Sequence, residues 1–260
     1  MQDIKYKFVM NVDYDGIMCY LNKIGVKLSR ILQNEEKKDK RLIVTFDIMK
    51  KMRNNIYVLS LLPNEENVIT SKNLIYRAVF SDLMTALFLL YISDIEFKYS
   101  IRRLDIDHVK YMKEILPLRL NLGRTLFKPK DEDDISEQDL LDQYYDYFNE
   151  YLTSKKGEPW DIIKLKPLKK MKFVGTIKSL YESLLECHDN ENLSALANLY
   201  LHYKYLSQTE HYSYLGNKYP FAGKCDDTWL KEFDLAIYAG IAEVENLLEQ
   251  YLSVKYNSEM

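Results

Sequence analysis

The sequence predicts an all-α protein, a multi-helix bundle of about eight helices. Glycine and proline, which most often interrupt helices, contribute only 8 and 6 of the 260 residues. Apolar residues recur at spacings of three and four through nearly every segment, which is the helical period. With 47% apolar and 29% charged residues, the composition is that of a soluble globular protein.

The first four helices are each predicted from a local signal. Over residues 13–33 an apolar stripe that includes Ile17 repeats every three or four positions. A second helix covers residues 39–62 and ends before a proline. A third covers residues 71–93, with a serine at its first position as the predicted N-cap. The fourth is predicted over residues 107–122.

Four more helices complete the predicted bundle. They cover residues 136–153, 168–187, 192–212 and 227–256, and the last begins at Asp227 or Thr228 as a cap. We predict one domain over residues 1–260, with a candidate internal boundary at the acidic link 128–136.

Charge is segregated around that link. Residues 131–150 contain nine acidic residues and no Lys or Arg, whereas residues 155–178 are rich in lysine. We interpret this as two neighbouring helices whose opposite charges neutralise each other. The alternative is that the lysines form a strip that binds phosphate groups.

Charge and cysteine usage favour a cytoplasmic protein without a membrane span. The formal net charge of -3 gives no global attraction to nucleic acid or to anionic lipid. Cys19, Cys187 and Cys225 have neither the spacing of a zinc ribbon nor that of a disulfide framework. The most apolar run, from Ala78, contains Asp82, so we interpret it as a buried helix of a soluble core.

Common catalytic motifs are missing from the chain. The glycines are isolated from one another, so no glycine-rich loop cradles a phosphate. No histidine follows a glutamate by three residues, as a di-metal bundle site would require; Asp105 before His108 is the nearest approach. A GxSxG nucleophile elbow is absent as well. The sequence therefore predicts no metal site and no cofactor.

A set of polar residues within two apolar helices forms the first candidate site. On each helix two of them are four residues apart, and so share a face, while an acid lies beside them. Buried charges need partners, so we expect a hydrogen-bonded network between the two helices or a pocket that binds a small ligand. The set comprises Arg77, Ser81 and Asp82 on the third helix and Ser207, Glu210 and His211 on the seventh.

A family resemblance is carried by the same segments. Arg77 at the head of "YRAVFSDLMTALFLLYI", the later "YLSQTEHYS" and a long final amphipathic helix resemble a broad group of uncharacterised bacterial and phage proteins. That group is similar in turn to the HEPN superfamily, helical domains found in toxins and defence systems. The resemblance covers the helices from Asn73 onward and implies a HEPN-like bundle that forms a homodimer.

The resemblance also implies a second candidate site. Active HEPN nucleases carry an Arg four to six residues before a His, and "RRLDIDH" matches with Arg102 or Arg103 and His108. The implied chemistry is RNA cleavage without a metal, in which the Arg holds the phosphate and the His takes part in proton transfer. We predict, however, that this segment lies in a link at the start of a helix. Around His211 the corresponding basic residue is Lys204, a departure from the pattern.

Tyrosine is the remaining excess, with 22 in the chain and a cluster in residues 143–151. The surroundings of the cluster are acidic, which favours self-association over the stacking of nucleic-acid bases. We therefore predict a binding or interaction module that forms a homodimer, with a protein as a further partner. A HEPN-type endoribonuclease or toxin that acts on RNA is one alternative, and a small-ligand pocket is the other.

Overall fold

The structure, a computed structural model, describes only part of the chain. The described residues are 13–34, 39–63, 65–127, 136–166, 176–186, 193, 196, 199–207 and 227–257.

Eight α-helices and one short 3-10 helix, Asn149–Tyr151, are present in these segments. Among the described residues, Leu152 and Ile162 form one β pairing, an isolated antiparallel bridge. The prediction of an all-α bundle of about eight helices is therefore confirmed. The helices are α1 (Tyr14–Asn34), α2 (Lys40–Leu61), α3 (Glu66–Tyr91), α4 (Asp94–Phe127), α5 (Glu137–Phe148), α6 (Ile177–Leu185), α7 (Leu199–Ser207) and α8 (Asp227–Asn257).

Three helix starts differ from prediction. Helix α6 was predicted from residue 168 and begins at Ile177, after its N-cap Thr176. Helix α3 begins at Glu66, so Ser71 lies inside the helix and the prediction that it is the N-cap is wrong.

Helix α4 begins at Asp94, because Ser93 and Glu96 form a capping box. The amide of Ser93 donates to Oε2 of Glu96 at 3.1 Å, and the amide of Glu96 donates to Oγ of Ser93 at 3.4 Å. The predicted link around residues 102–108 is therefore the interior of α4.

Two helix ends also differ from prediction. Helix α4 was predicted to end at residue 122 and continues to Phe127. Helix α5 stops at Phe148, five residues early, because the chain reverses and pairs with itself. The amide of Thr153 donates to the carbonyl of Asp161 at 2.7 Å. Gly157, whose φ of 87° favours glycine, lies in the connecting turn.

The chain divides into two compact units. Unit 1 comprises Met1–Ile92 and Gly175–Met260, and unit 2 comprises Ser93–Val174. The single domain with a candidate boundary at residues 128–136 stays a prediction.

In unit 1, helix α3 is central and packs against α2, α6, α7 and α8. Its apolar residues, such as Phe80 and Leu83, are fully buried. Arg41 of α2 is 3% exposed and donates from Nη1 to the carbonyls of Leu89, Leu90 and Ile92 at 2.7–3.2 Å. A side chain from α2 therefore caps the carboxyl end of α3.

In unit 2, helix α4 packs against α5 and the 3-10 helix. The small core contains Val109, Leu116, Leu141 and Trp160. The extended segment after Trp160 continues along α4, and Lys113 donates to the carbonyl of Trp160. Unit 2 thus places one flank of α4 beside an extended strand-like segment.

One helical segment, Thr70–Tyr91, is long and apolar enough to cross a membrane by length and composition. Of its most apolar window, 61% is buried inside the protein, as in the core helix of a soluble protein. The cytoplasmic location stays a prediction.

Candidate functional site

Arg77 contacts helix α7, which carries Ser207, by a hydrogen bond to Tyr203. Its Nη2 donates to the hydroxyl of Tyr203 on α7 at 3.0 Å, and its guanidinium lies 4.9 Å from the ring centroid of that tyrosine. The hydroxyl of Ser207 donates instead to the carbonyl of Lys204 in its own helix, at 2.7 Å. Arg77 and Ser207 are therefore on contacting helices without a hydrogen bond between their side chains.

Asp82 faces a different helix. Its Oδ1 accepts from Lys51 of α2 at 2.8 Å, while its Oδ2 is buried and has no hydrogen-bond partner in the described part of the chain. Burial raises the pKa of the Asp82 carboxyl, and the bond to Lys51 opposes this. The carbonyl of Ser81 accepts from Thr85, one turn along the same helix.

The predicted six-residue set is thus divided between partners. Arg77 faces α7 and Asp82 pairs with α2. Glu210 and His211 lie outside the described residues.

A buried cluster that the sequence analysis missed connects α1, α3 and α8. The hydroxyls of Tyr14 and Tyr76 are 2.8 Å apart, and Tyr76 donates to Oδ1 of Asp234 at 2.8 Å. Tyr76 is 0% exposed and Asp234 8% exposed. Lys72, one helical turn before Tyr76, is buried as well. Two tyrosines, an acid and a base are therefore gathered between three helices of unit 1.

Burial changes the proton affinities in this Tyr–Asp cluster. Burial raises the pKa of Asp234 to about 6, against the bond from Tyr76 and the charge of Lys72, while the charge of Asp13 adds to the rise. Burial likewise lowers the pKa of Lys72, which the charge of Asp234 partly restores. Perturbed acids and bases of this kind occur at functional sites and also in structural networks.

His202 on α7 packs against aromatic rings that lie beside this cluster. It stacks on Phe80 with ring centroids 5.5 Å apart and meets Phe233, the neighbour of Asp234, edge to face at 5.3 Å. Burial lowers the pKa of His202, and the charge of Glu232 opposes the change. The imidazole therefore contributes to the core mainly as a packed aromatic ring.

The Arg–His match of α4 is spread over different faces of the helix. Arg102 lies with its guanidinium 5.8 Å from the ring centroid of Tyr151. Arg103 reaches Asp107 at 3.9 Å, whereas the exposed His108 meets the ring of Phe148 at a centroid distance of 6.0 Å. Five residues of α-helix correspond to a rotation of about 140°, so Arg103 and His108 diverge.

Arg103 lines a cleft of about 440 Å³ in unit 2, between α4 and the extended segment after Trp160. The floor is apolar, from one isoleucine of α4 and three aliphatic residues of the segment. The polar residues that line the cleft are Arg103, Asp107, Lys110, Lys113, Asp161 and Lys164.

The cleft has a positive balance. Its lining contains four basic and two acidic side chains, a formal charge of +2. Asp107 is shared by Lys110 at 2.7 Å and by Arg103, and Asp161 accepts from the hydroxyl of Thr153 at 2.6 Å. Lys164 has no ion-pair partner within the described segments. After its internal ion pairs are counted, the cleft therefore still has positively charged side chains that can bind an anionic ligand.

In the segments that the structure describes, no group of three or more His, Cys, Asp or Glu is placed to hold a metal ion. The chemistry of the cleft is accordingly that of Lys and Arg ammonium and guanidinium groups above an apolar floor.

The chain matches no protein-family model, no curated protein and no solved structure. The resemblance to HEPN domains therefore stays a prediction.

Proposed function

We propose that the chain is a binding protein whose unit 2 cleft takes a ligand that bears phosphate groups. The observation that carries the proposal is the cleft's formal charge of +2 in a chain whose net charge is -3. Local cationic charge is what a phosphate-bearing ligand needs when the protein as a whole does not attract it.

Size and lining support the same class of ligand. A volume of about 440 Å³ lies within the range of ligand pockets, roughly 300–1,000 Å³. The aliphatic floor, which includes Ile106 and Ile162, offers apolar contact to a base or sugar while the lysines at the rim meet phosphate. A nucleotide, free or within RNA, combines these two features. The resemblance to HEPN domains is a further reason to test RNA.

The positions of the Arg and His side chains on α4 favour binding of RNA over its cleavage. A metal-independent ribonuclease would need the Arg and the His at one phosphate. Arg103 instead lines the cleft, Arg102 lies against the ring of Tyr151, and His108 packs beside Phe148. The buried Tyr–Asp cluster of unit 1 likewise supports a structural role better than a second ligand pocket, because its hydroxyls and carboxylate bond to one another.

Binding is tested with a labelled single-stranded RNA, using fluorescence anisotropy at low salt, with ATP and inorganic phosphate as competitors. We expect saturable binding with a Kd of about 10⁻⁴ to 10⁻⁶ M. The double variant Lys110→Glu/Lys164→Glu should weaken binding by about tenfold or more. Lys98→Glu, on another face of α4, is the matched control and should bind as the wild type does.

The competitors distinguish the source of the phosphate. Displacement by ATP alone indicates a nucleotide site, and displacement by phosphate as well indicates an anion site without base contacts. The proposal fails if none of the three probes binds, or if the double variant binds as tightly as the wild type.

The ribonuclease alternative is read from the same samples on a denaturing gel. We expect the RNA to stay intact. Cleavage that persists in chelator and is lost in His108→Ala would replace binding with HEPN-type catalysis as the function.

A further inference from the structure

Helices α1 and α2 of unit 1 line a groove. Only residues 35–39 join them, and a link this short makes neighbouring helices antiparallel. Arg53 of α2 donates to the side-chain oxygen of Asn22 on α1 at 2.6 Å across the groove. The α1/α2 groove is defined by Asn22, Gly25, Val26, Phe46, Lys50 and Arg53.

We propose that the α1/α2 groove binds an acidic amphipathic helix of a partner protein. This surface lies within unit 1 and is separate from the phosphate ligand proposed for unit 2. The argument combines the shape of the groove, its charge and the continuation of its apolar residues.

The shape suits side chains that anchor a helix. The groove holds about 280 Å³. A Cβ built on Gly25 would meet no atom within 4 Å, so the groove is open down to the backbone of α1. A partner's side chain can therefore enter at this position.

Apolar residues continue beyond the groove along α2. Phe46, Lys50, Arg53, Tyr57 and Leu61 are three or four residues apart and so form one stripe. Tyr57 is 53% exposed and Leu61 64% exposed, and Val26 on α1 is 51% exposed. A stripe several turns long matches the repeated anchors of a helix laid into a groove.

Charge selects the partner. The groove is lined by the cations Lys50 and Arg53 and by no acidic residue, a formal charge of +2. Lys50 has no ion-pair partner among the residues described. A second copy placed groove to groove would oppose these cations to themselves, whereas a helix with acidic flanks complements them.

The probe is a displayed library of helical peptides with randomised surface positions, selected on the full chain. We expect the enriched peptides to be amphipathic and net acidic. Their affinity should fall about tenfold or more in Gly25→Leu, which places a side chain in the groove at a position where a Cβ meets no atom within 4 Å, and in Lys50→Glu. Lys231→Glu, an exposed charge change elsewhere in unit 1, is the control and should leave the affinity unchanged.

Each other outcome contradicts the proposal. No enrichment, enrichment of basic peptides, or equal binding to Gly25→Leu would exclude an acidic helix in this groove. Light scattering tests whether a second copy of the chain occupies the groove. A wild-type dimer that becomes a monomer in Gly25→Leu would show that a second copy occupies the groove.

Discussion

Two tyrosine–aspartate hydrogen bonds, one in each unit, have nearly the same length but different surroundings. In unit 1, Tyr76 donates to Asp234 at 2.8 Å, and both side chains are buried. In unit 2, Tyr151 donates to Asp105 at 2.9 Å, and both are half-buried. The bond lengths are nearly shared, so the main contrast between the two pairs is their access to water.

The comparison shows how burial decides what a polar group does. A buried carboxylate depends on its protein donors, because it has lost its water, whereas a half-buried one exchanges a lost donor for water. Unit 1 therefore uses its polar residues to fix the packing of three helices. Unit 2 leaves its cations at the rim of a cleft, where a ligand can reach them.

The largest effect should appear in the pH dependence of unit 1. Asp234 has an ordinary pKa of 3.8 that burial raises to about 6 in the folded protein. The folded state thus binds this proton more tightly than the unfolded state does. Stability is lost as the pH rises from about 4 through 6, by about 3 kcal/mol at 1.36 kcal/mol per pKa unit.

The measurement is the difference between wild type and Asp234→Asn in urea unfolding across this range. Asparagine does not titrate, so the variant should gain on the wild type as the pH rises. The lowered pKa of His202 has the opposite sign, because it adds stability as the pH rises towards 6.5, but it is common to both proteins and cancels. A constant difference between pH 4 and 7 would contradict the prediction.

The second prediction compares the two tyrosines directly. Tyr76→Phe removes the donor to a buried carboxylate and should cost about 2 kcal/mol. Tyr151→Phe, the matched change in unit 2, should cost less than about 1 kcal/mol because water replaces the hydroxyl. Hydrogen exchange of peptides from α3 and α4 reports the two units separately. Equal costs would mean that burial does not distinguish the two bonds.

Two helical glycines extend the comparison of buried and open positions. A Cβ on Gly240 of α8 would collide with the side chain of the fully buried Leu83, whereas one on Gly25 would meet nothing within 4 Å. Gly240→Ala should destabilise by about 1 kcal/mol, since overpacking outweighs the gain in helix propensity. Gly25→Ala should stabilise by about 0.8–1.0 kcal/mol. Thermal unfolding gives the two signs, and the same sign for both would contradict the prediction.

The helices could be predicted from sequence where an apolar stripe is continuous. Helix α1 was expected over residues 13–33 and runs from Tyr14 to Asn34. The first turns of α4 were missed, because the helix was predicted to begin at residue 107 and the segment with Arg102 and Arg103 was predicted to lie in a link. Ser93 and Glu96 carried the missing signal, since serine followed three residues later by glutamate marks a helix start.

The polar cluster of unit 1 could not be predicted in this way. Tyr76 and Asp234 are 158 residues apart, and no local pattern pairs a tyrosine with one carboxylate among many. The spacing of Arg77 and Ser81 predicts that they share one face of α3, but it does not predict that Arg77 meets Tyr203 across the bundle. Periodicity predicts which face is buried, whereas long-range packing decides which polar groups meet there.

The smallest effect on stability is expected from the lysines of the unit 2 cleft. Lys110 and Lys164 are exposed, and an exposed ion pair such as that of Lys110 with Asp107 contributes about 0–1 kcal/mol. Lys110→Glu/Lys164→Glu should therefore unfold within about 1 kcal/mol of wild type while its binding of RNA weakens by about tenfold or more. For a cleft that neutralises about two phosphates, the plot of log K against log salt should have a slope near -1.4 in wild type. A loss of stability as large as that of Tyr76→Phe would mean that these lysines hold unit 2 together instead of meeting a ligand.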